Sequence, residues 1–338
     1  MKRFSFIIPA YNAETTIKRC LDSVYVLSVS EDESEVIVID DCSNDQTVDI
    51  VKAYAQFHRN LKLIIQPQNH RQGAARNRGI KVAQGECIVF LDSDDEIALG
   101  VLPAWDLLQK TDSDMVVMRF DKFSYEGNLE SEVSLPYTSD KIFTGVALQT
   151  EHPFFCTAPW AYIYRRAFLL KVNYPFAEDV LYEDSDFVNV HLFHATRIAY
   201  SDVCGYHLWS NPFSTTHTNS FKHVCDYAVL GTRMLSLFQQ IDVKNSTYAN
   251  SILEGGSYNI MRSCKNLFKL HSLSDICSFY RRFDQLADRS TLLSYSEPAY
   301  CWNRWTRFCV KHKYWTIIIV GSCLPFLSFV SFVKRVKR

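Results

Sequence analysis

An apolar run of strand length, Ile88-Val-Phe-Leu, ends abruptly on three carboxylates, Asp92, Asp94 and Asp95. The run is short, branched and aromatic and follows the turn signal Gly85, so it reads as a buried strand. Acids at the carboxyl end of such a strand fall in the crevice where open α/β sheets bind ligands. Three of them within four residues repel one another unless a cation neutralises them. This stretch therefore asks for an α/β sheet around it, a divalent metal beside it, and a ligand that carries negative charge.

The preceding chain supplies that sheet. Phe4–Ala10 reads as a first strand whose end is marked by Pro9, since proline cannot sit in the middle of a paired strand. Ile17, Cys20, Leu21 and Val24 recur at helical spacing. Val36–Asp40 is a second buried strand ending in acids, and a helix over 47–57 follows with Asp45 as its expected N-cap. Leu61–Ile65 is a third strand and 72–83 a third helix. Residues 103–108 read as helical and Met115–Met118 as a fifth strand. Alternation with short links predicts a parallel α/β sheet with right-handed crossovers. No Gly-x-Gly-x-x-Gly follows a strand and there is no Walker A sequence, so phosphates would be held mainly by metal and side chains. Residues 121–145 read as a hairpin or loop, and Ala158–Arg166 as a lead into a short helix near Phe168. Ile198–Tyr200 and Gly205–Trp209 read as strand pieces returning to the sheet.

The chain of 338 residues is long enough for one large domain with an appendage, or for two domains. The pattern divides it into an α/β part over 1–220, a helical region over 221–300 and a basic, aromatic segment over 301–338. The net charge of −1 gives no basis for a nucleic-acid partner. No acid follows Glu297, whereas eight Lys and Arg residues do. Thr316–Val333 is uncharged and mostly apolar, about 18 residues, at the lower edge of a bilayer span. Basic flanks on both sides leave its topology open, spanning or in-plane; a helix lying in or re-entering the membrane would place both flanks at the cytoplasmic face. Eleven cysteines without a CxxC pair predict free thiols in a reducing compartment. The apolar run after Met1-Lys-Arg is too short for a signal peptide and belongs to the first strand. The active body is therefore expected at the cytoplasmic face.

Asp92 and Asp94 flank one residue, so along an extended backbone they project to the same side, as a hard cation such as Mn²⁺ or Mg²⁺ requires. The bland alternative is a solvated acidic turn. Glu183 and Asp184 open a helix beside Tyr182, where one could abstract a proton or both could merely favour the helix dipole. Asp41 could accept hydrogen bonds from a base or ribose, or serve its own turn. Arg76 and Arg78 lie two apart on one helix and do not share a face.

Together these stretches form a recognisable series. Pro9-Ala-Tyr-Asn with Glu14, Val38-Ile-Asp-Asp-Cys-Ser-Asn-Asp, Asn69 with Gly73-Ala-Ala-Arg-Asn-Arg-Gly79, Gly85-Glu with Phe90-Leu-Asp-Ser-Asp-Asp, and Tyr182-Glu-Asp resemble family-two glycosyltransferases of the GT-A fold. The order and spacing fit over the first 220 residues or so. The resemblance implies a Rossmann-like, mostly parallel sheet with helices on both faces, followed here by a helical C-terminal region and a membrane-associated helix. It implies that Pro9, Ala10, Tyr11 and Glu14 line the nucleotide pocket, with Asp41 on the base and Arg76 near the diphosphate. Asp92 and Ser93 would face the ribose or metal, and Asp94 would bind the metal. Asp184 would be the general base supported by Glu183, and His207 a further metal ligand or phosphate contact, or simply a packed histidine. Family members often carry Gly or Ser where this chain has Cys42.

The implied reaction is inverting transfer of a sugar from a nucleotide-sugar, UDP-linked by family habit, to a hydroxyl of a glycan or lipid-linked saccharide in bacterial surface-polysaccharide synthesis. Two alternatives stand beside it. A non-catalytic, membrane-attached nucleotide-sugar binder would share the fold. An Asp-x-Asp phosphatase would need Thr or Val two residues past the second acid, where Glu96 stands.

Overall fold

The computed structural model describes residues 2–211 apart from Asp140 and residues 153, 154 and 156, and then 221–239, 247–267, 273–286, 304–312 and 316. Its chain forms two compact units, one of residues 1–179 with 183–214 and the other of residues 180–182 with 215–338.

The first unit is a mixed α/β structure built outward from β1 (Phe4–Ala10), β2 (Ser34–Asp40) and β4 (Cys87–Phe90), all buried along their whole length. Continuous apolar sequence of this kind is what central parallel strands require, because both of their faces are covered. β1 pairs with β2 from Phe4↔Ser34 to Ala10↔Asp40, and with β4 from Phe4↔Cys87 to Ile7↔Phe90. Pro9 thus lies within β1 yet costs little, because its register partner is on β2 only and the β4 ladder has already ended. The polar residue inside β1 is also accounted for. Ser5 donates to Glu35 and accepts from the Gly85 N–H, and Glu35 is held by Lys62. Gly85 is needed there, since a Cβ would stand 2.6 Å from the backbone of Phe4 and Ser5.

The strand order is β3-β2-β1-β4-β9-β6-β10-β5, with β3 at Leu61–Ile65, β6 at Met115–Phe123, β9 at Tyr162–Arg165, β10 at Ile198–Trp209 and β5 at Glu96–Ile97. β2 and β3 grow on one side of β1 and β4 on the other. With right-handed crossovers this reversal separates the helices between β1, β2 and β3 from the helix that leads to β4, and opens a crevice at the carboxyl ends of β1 and β4. The helices concerned are α1 (Ile17–Val26), α2 (Thr47–Ala55) and α3 (Arg71–Val82). The buried residues of α1 are Ile17, Cys20, Leu21 and Val24, the four picked out by spacing.

Three expectations need correction. The sheet is not parallel throughout: β9 runs antiparallel between β4 and β6, and β5 pairs antiparallel with β10. The stretch before Phe168 therefore contains a central strand, too short and too close to Pro159 to show a pattern of its own. Asp45 is not the N-cap of α2. Gln46 holds that position, and Asp45 Oδ1 accepts from the backbone N–H and hydroxyl of Thr47. The two pieces ending at Trp209 are one bulged strand, β10, parallel to β6. Residues 121–145 do contain a hairpin, β6 with β7 (Leu129–Val133). β8 (Ile142–Phe143) pairs with β10.

The remaining helices of this unit are α4 (Val101–Lys110), α5 (Gly145–Glu151), α6 (Arg166–Val172) and α7 (Asp184–His194), with a 3-10 turn at Pro159–Ala161. Phe90 is the hub of the core, fully buried, with edge-on contacts to Tyr164, Phe176 and Phe187.

The second unit is helical where described, with α8 (Phe221–Gln239), α9 (Thr247–Asn266), α10 (Leu273–Leu286) and a short helix at Arg304–Lys311. Close approach of α8 and α9 rests on Gly231, whose Cβ would meet Ile260 at 2.8 Å. Tyr182, in the left-handed backbone region at φ 67°, stacks on Tyr227, and the Leu181 N–H donates to Asp226. Among the described residues no helix is long and apolar enough to cross a membrane, and the stretch 317–333 lies outside them. Eight described cysteines are free thiols.

Phe90→Ala removes the ring on which three aromatic contacts converge. It should destabilise the first unit by about 3–5 kcal/mol, read as a lowered urea midpoint.

Candidate active site

α3 carries an arginine into the interior. Gly73, Ala74, Ala75 and Gly79 give the helix a thin face, and Arg76 on that face is fully buried. Its Nη2 donates to Asp92 Oδ1 at 2.8 Å. Its Nη1 donates to Glu183 Oε1 at 2.8 Å and to Asp184 Oδ1 at 2.6 Å. The guanidinium also lies 5.3 Å above the Phe176 ring. Asn77, next along the helix, fixes the neighbouring chain by donating to Phe176 O and accepting from the Phe176 N–H. At Gly73 a Cβ would stand 2.2 Å from the carbonyl oxygen of Ala177 and 3.2 Å from Glu183 Cγ, so only glycine lets the helix lie this close to the acids.

The node thus joins the acidic turn after β4 to the acid pair at the start of α7, residues about ninety apart in the sequence. One cation faces three carboxylates, so the cluster retains excess negative charge. Burial raises the Glu183 carboxyl well above the ordinary range and Asp184 adds to this, while Arg76 opposes it. Burial raises Asp184 also, against Arg76. Glu183 is buried, whereas the Asp184 side chain remains 29% exposed and reaches solvent.

The acidic turn shows the same crowding. Burial and then the charge of Asp92 push Asp94 up. Asp94 Oδ2 accepts from Asn211 Nδ2, and Arg19 donates to its carbonyl oxygen while stacking on Trp209 at 4.0 Å. Asp95 is a different kind of acid, only 2% exposed, with Trp209 N–H and Tyr206 O–H as donors. Asp92 and Asp94 are a crowded oxygen donor set of the kind a hard divalent cation relieves. Asn211 and Arg19 are additions that sequence reading missed. Arg19 had no motif around it, and Asn211 lies past the last strand.

The other predicted residues stand as follows. Pro9 and Ala10 are buried at the end of β1, Tyr11 is half exposed, and exposed Glu14 accepts from the Gln46 N–H. Asp41 is buried, with Oδ1 accepting from Gln66 Nε2 and the His70 N–H, and burial raises its carboxyl. The residue after it, Cys42, takes φ 65°, a conformation glycine adopts without strain. Ser93 is partly buried within the turn and Arg78 points to solvent. Arg76 engages carboxylates. His207 packs edge-on against Phe123, with Nδ1 3.6 Å from Glu96 Oε2. It also groups with Asp121 and Cys204, ligand atoms all within 4.8 Å of one another, but Asp121 is already held by two nitrogens of Arg119.

Residues 5–170 match the family model described as glycosyl transferase family 2. Residues 5–170 thus form a domain of this family. Family relatives include a poly(ribitol-phosphate) beta-glucosyltransferase of Bacillus spizizenii, 39% identical over 104 residues, 30% of this chain and 16% of that protein. Glycosyltransferase YibD of Escherichia coli is 26% identical over 74% of this chain and 73% of its own. The alignment to the first of these spans less than a fifth of that relative's length. Among solved structures, Staphylococcus aureus TarS 1-349 in complex with UDP-GlcNAc superposes with a TM-score of 0.69 at 23% identity, covering 92% of this chain and 91% of that one. A mannosyltransferase of Pyrobaculum calidifontis in complex with GDP-Man and Mn²⁺ gives 0.52 at 16% identity, covering 95% and 86%. These structures share the GT-A-like fold with this chain.

Arg76→Met leaves three facing acids without their cation and should cost about 3–5 kcal/mol in denaturant unfolding. Glu183 and Asp184 hold their protons more tightly folded than unfolded, so stability falls as pH rises from about 4 through their raised values. Without Arg76 both rise further, so the variant's deficit should be smallest in acid and grow with pH, measured by unfolding at several pH values.

Proposed function

We propose that this chain is an inverting glycosyltransferase that moves a sugar from a nucleoside-diphosphate sugar, UDP-linked, to a hydroxyl of a cell-surface glycan or polyol-phosphate polymer. The observation that carries the proposal is the Arg76 node, which holds the acid pair of α7 against the acidic turn at the sheet's switch point. The complex of TarS with UDP-GlcNAc and the poly(ribitol-phosphate) relatives support the donor and acceptor classes.

The chemistry follows from the two acidic groups. The acceptor oxygen attacks the anomeric carbon from the face opposite the leaving group. The bond from that carbon to the diphosphate oxygen breaks, the diphosphate keeps the electron pair, and the acceptor's proton passes to Asp184. Configuration inverts because one displacement occurs. Asp184 suits this role because it reaches solvent on one side, while Arg76 fixes its orientation and keeps part of it ionised against the effect of burial. Buried Glu183 shares the guanidinium and braces it. Asp94, with Asp92, would hold a divalent cation, Mn²⁺ or Mg²⁺, which when bound offsets negative charge on the departing diphosphate. Asp41 and the exposed Tyr11 stand at the ends of β2 and β1, where a base could be received.

Nucleotide release from a panel of UDP-, GDP- and dTDP-sugars with Mn²⁺ tests this reading. One donor should give metal-dependent release, lost in Asp94→Ala, and Asp184→Asn should abolish transfer to acceptor while donor binding persists. Binding without transfer to any acceptor would favour the non-catalytic alternative, and failure of every donor to bind would overturn the assignment.

Membrane attachment through 301–338 belongs to the same proposal. Its aromatic and cationic residues suit an anionic surface at about 1 kcal/mol per cation. Truncation after Tyr314 should abolish co-flotation with anionic vesicles and leave donor binding intact. A truncated chain that still floats would refute an anchor beyond Tyr314.

A further inference from the structure

The third acid of the turn is engaged differently from the first two. Asp95 Oδ1 accepts from the Trp209 N–H at 2.7 Å and Oδ2 from the Tyr206 hydroxyl at 2.8 Å. The Tyr206 oxygen in turn accepts from the Asp92 N–H at 3.2 Å. The Asp95 N–H closes the turn on Asp92 O at 3.0 Å. One hydroxyl thus grips the turn at both ends, by the main chain of Asp92 and the side chain of Asp95, with Asp94 between them. Tyr206 itself cannot drift. It is fully buried in β10, stacked on Trp160 at 4.5 Å and 11°.

Asp95 has no cationic side chain in contact among the described residues, and both its oxygens are occupied by protein donors. With Asp95 only 2% exposed, an ion could reach its remaining lone pairs only by displacing those donors and leaving them unpaired in the interior. Its place is therefore structural, and the acids of the turn left partly exposed are Asp92 and Asp94.

We propose that Tyr206, through its hydroxyl, is a positioning residue for the cation site, and that Asp95 is its anchor and not a metal ligand. This rests on the reading of Asp92 and Asp94 as the cation-holding pair. Partners behind a metal ligand fix its orientation, and losing one lowers metal affinity about 10–100-fold. Phenylalanine at 206 keeps the ring and its stacking but leaves the Asp92 N–H and Asp95 Oδ2 without their shared partner.

The test is Mn²⁺ binding, followed by loss of the free-ion electron paramagnetic resonance signal in the presence of UDP, on the full chain. Tyr206→Phe should bind Mn²⁺ about 10–100-fold more weakly than wild type with an unchanged circular dichroism spectrum. Asp95→Asn, which has one acceptor oxygen where two donors need one each, should weaken binding in the same direction and serves if Tyr206→Phe fails to fold. Trp160→Phe, which alters the stacking and keeps the hydroxyl, should bind as wild type does. A folded Tyr206→Phe protein that binds Mn²⁺ as tightly as wild type would overturn the proposal. So would a Trp160→Phe protein as impaired as Tyr206→Phe, since packing and not the hydroxyl would then be responsible. Wild type that binds no Mn²⁺ would overturn the cation-site reading as well, which separates the two failures.

Discussion

A guanidinium without solvent, surrounded by carboxylates, is the constraint on which this structure depends. Arg76 alone in the interior would be intolerably costly, and so would Glu183. Each makes the other possible. Two unit charges of like sign about 4 Å apart cost about 4 kcal/mol at an effective dielectric of 20, so the acids around Arg76 are held together against substantial repulsion. They come from β4's end and α7's start, and their meeting defines the site.

The fold delivers them by topology. β2 and β3 are laid down on one side of β1 and β4 on the other, so the ends of β1 and β4 part at the place where the acidic turn emerges. Inserting β9 antiparallel between β4 and β6 carries the chain from there towards Phe176 and α7. β10 then returns along β6 and brings Tyr206 and Trp209 up to the same turn from the far side. The turn is thus held by α3, by α1 through Arg19, and by β10.

Much of this was legible because the signals were local. Buried parallel strands appear as unbroken apolar runs, and three of them stop at a polar or acidic residue as the chain leaves the sheet. The buried face of α1 followed directly from spacing. β9 was not legible: four residues, Tyr162-Ile-Tyr-Arg, adopt a strand because β4 and β6 flank them, which no window of sequence reveals. Arg76, Asp92, Glu183 and Asp184 were each legible as site residues but their pairing was not, since the acids lie 16 and 107 or more positions from Arg76. Tyr206 reads as an ordinary core aromatic, and only its hydroxyl, 111 residues from Asp95, departs from that role.

At Gly73 two stretches of main chain meet with no carbon between them. Backbones in that kind of contact cannot slide or breathe separately, because a packed interior has no slack to absorb the motion. α3 and the chain at Ala177 therefore act as one anvil, with Asn77 riveting it further on. The floor beneath Glu183 and Asp184 is thus closely packed, with no room for a side chain between α3 and the chain at Ala177. Under the proposed function, an acceptor hydroxyl would then have to come to Asp184, and not Asp184 to it.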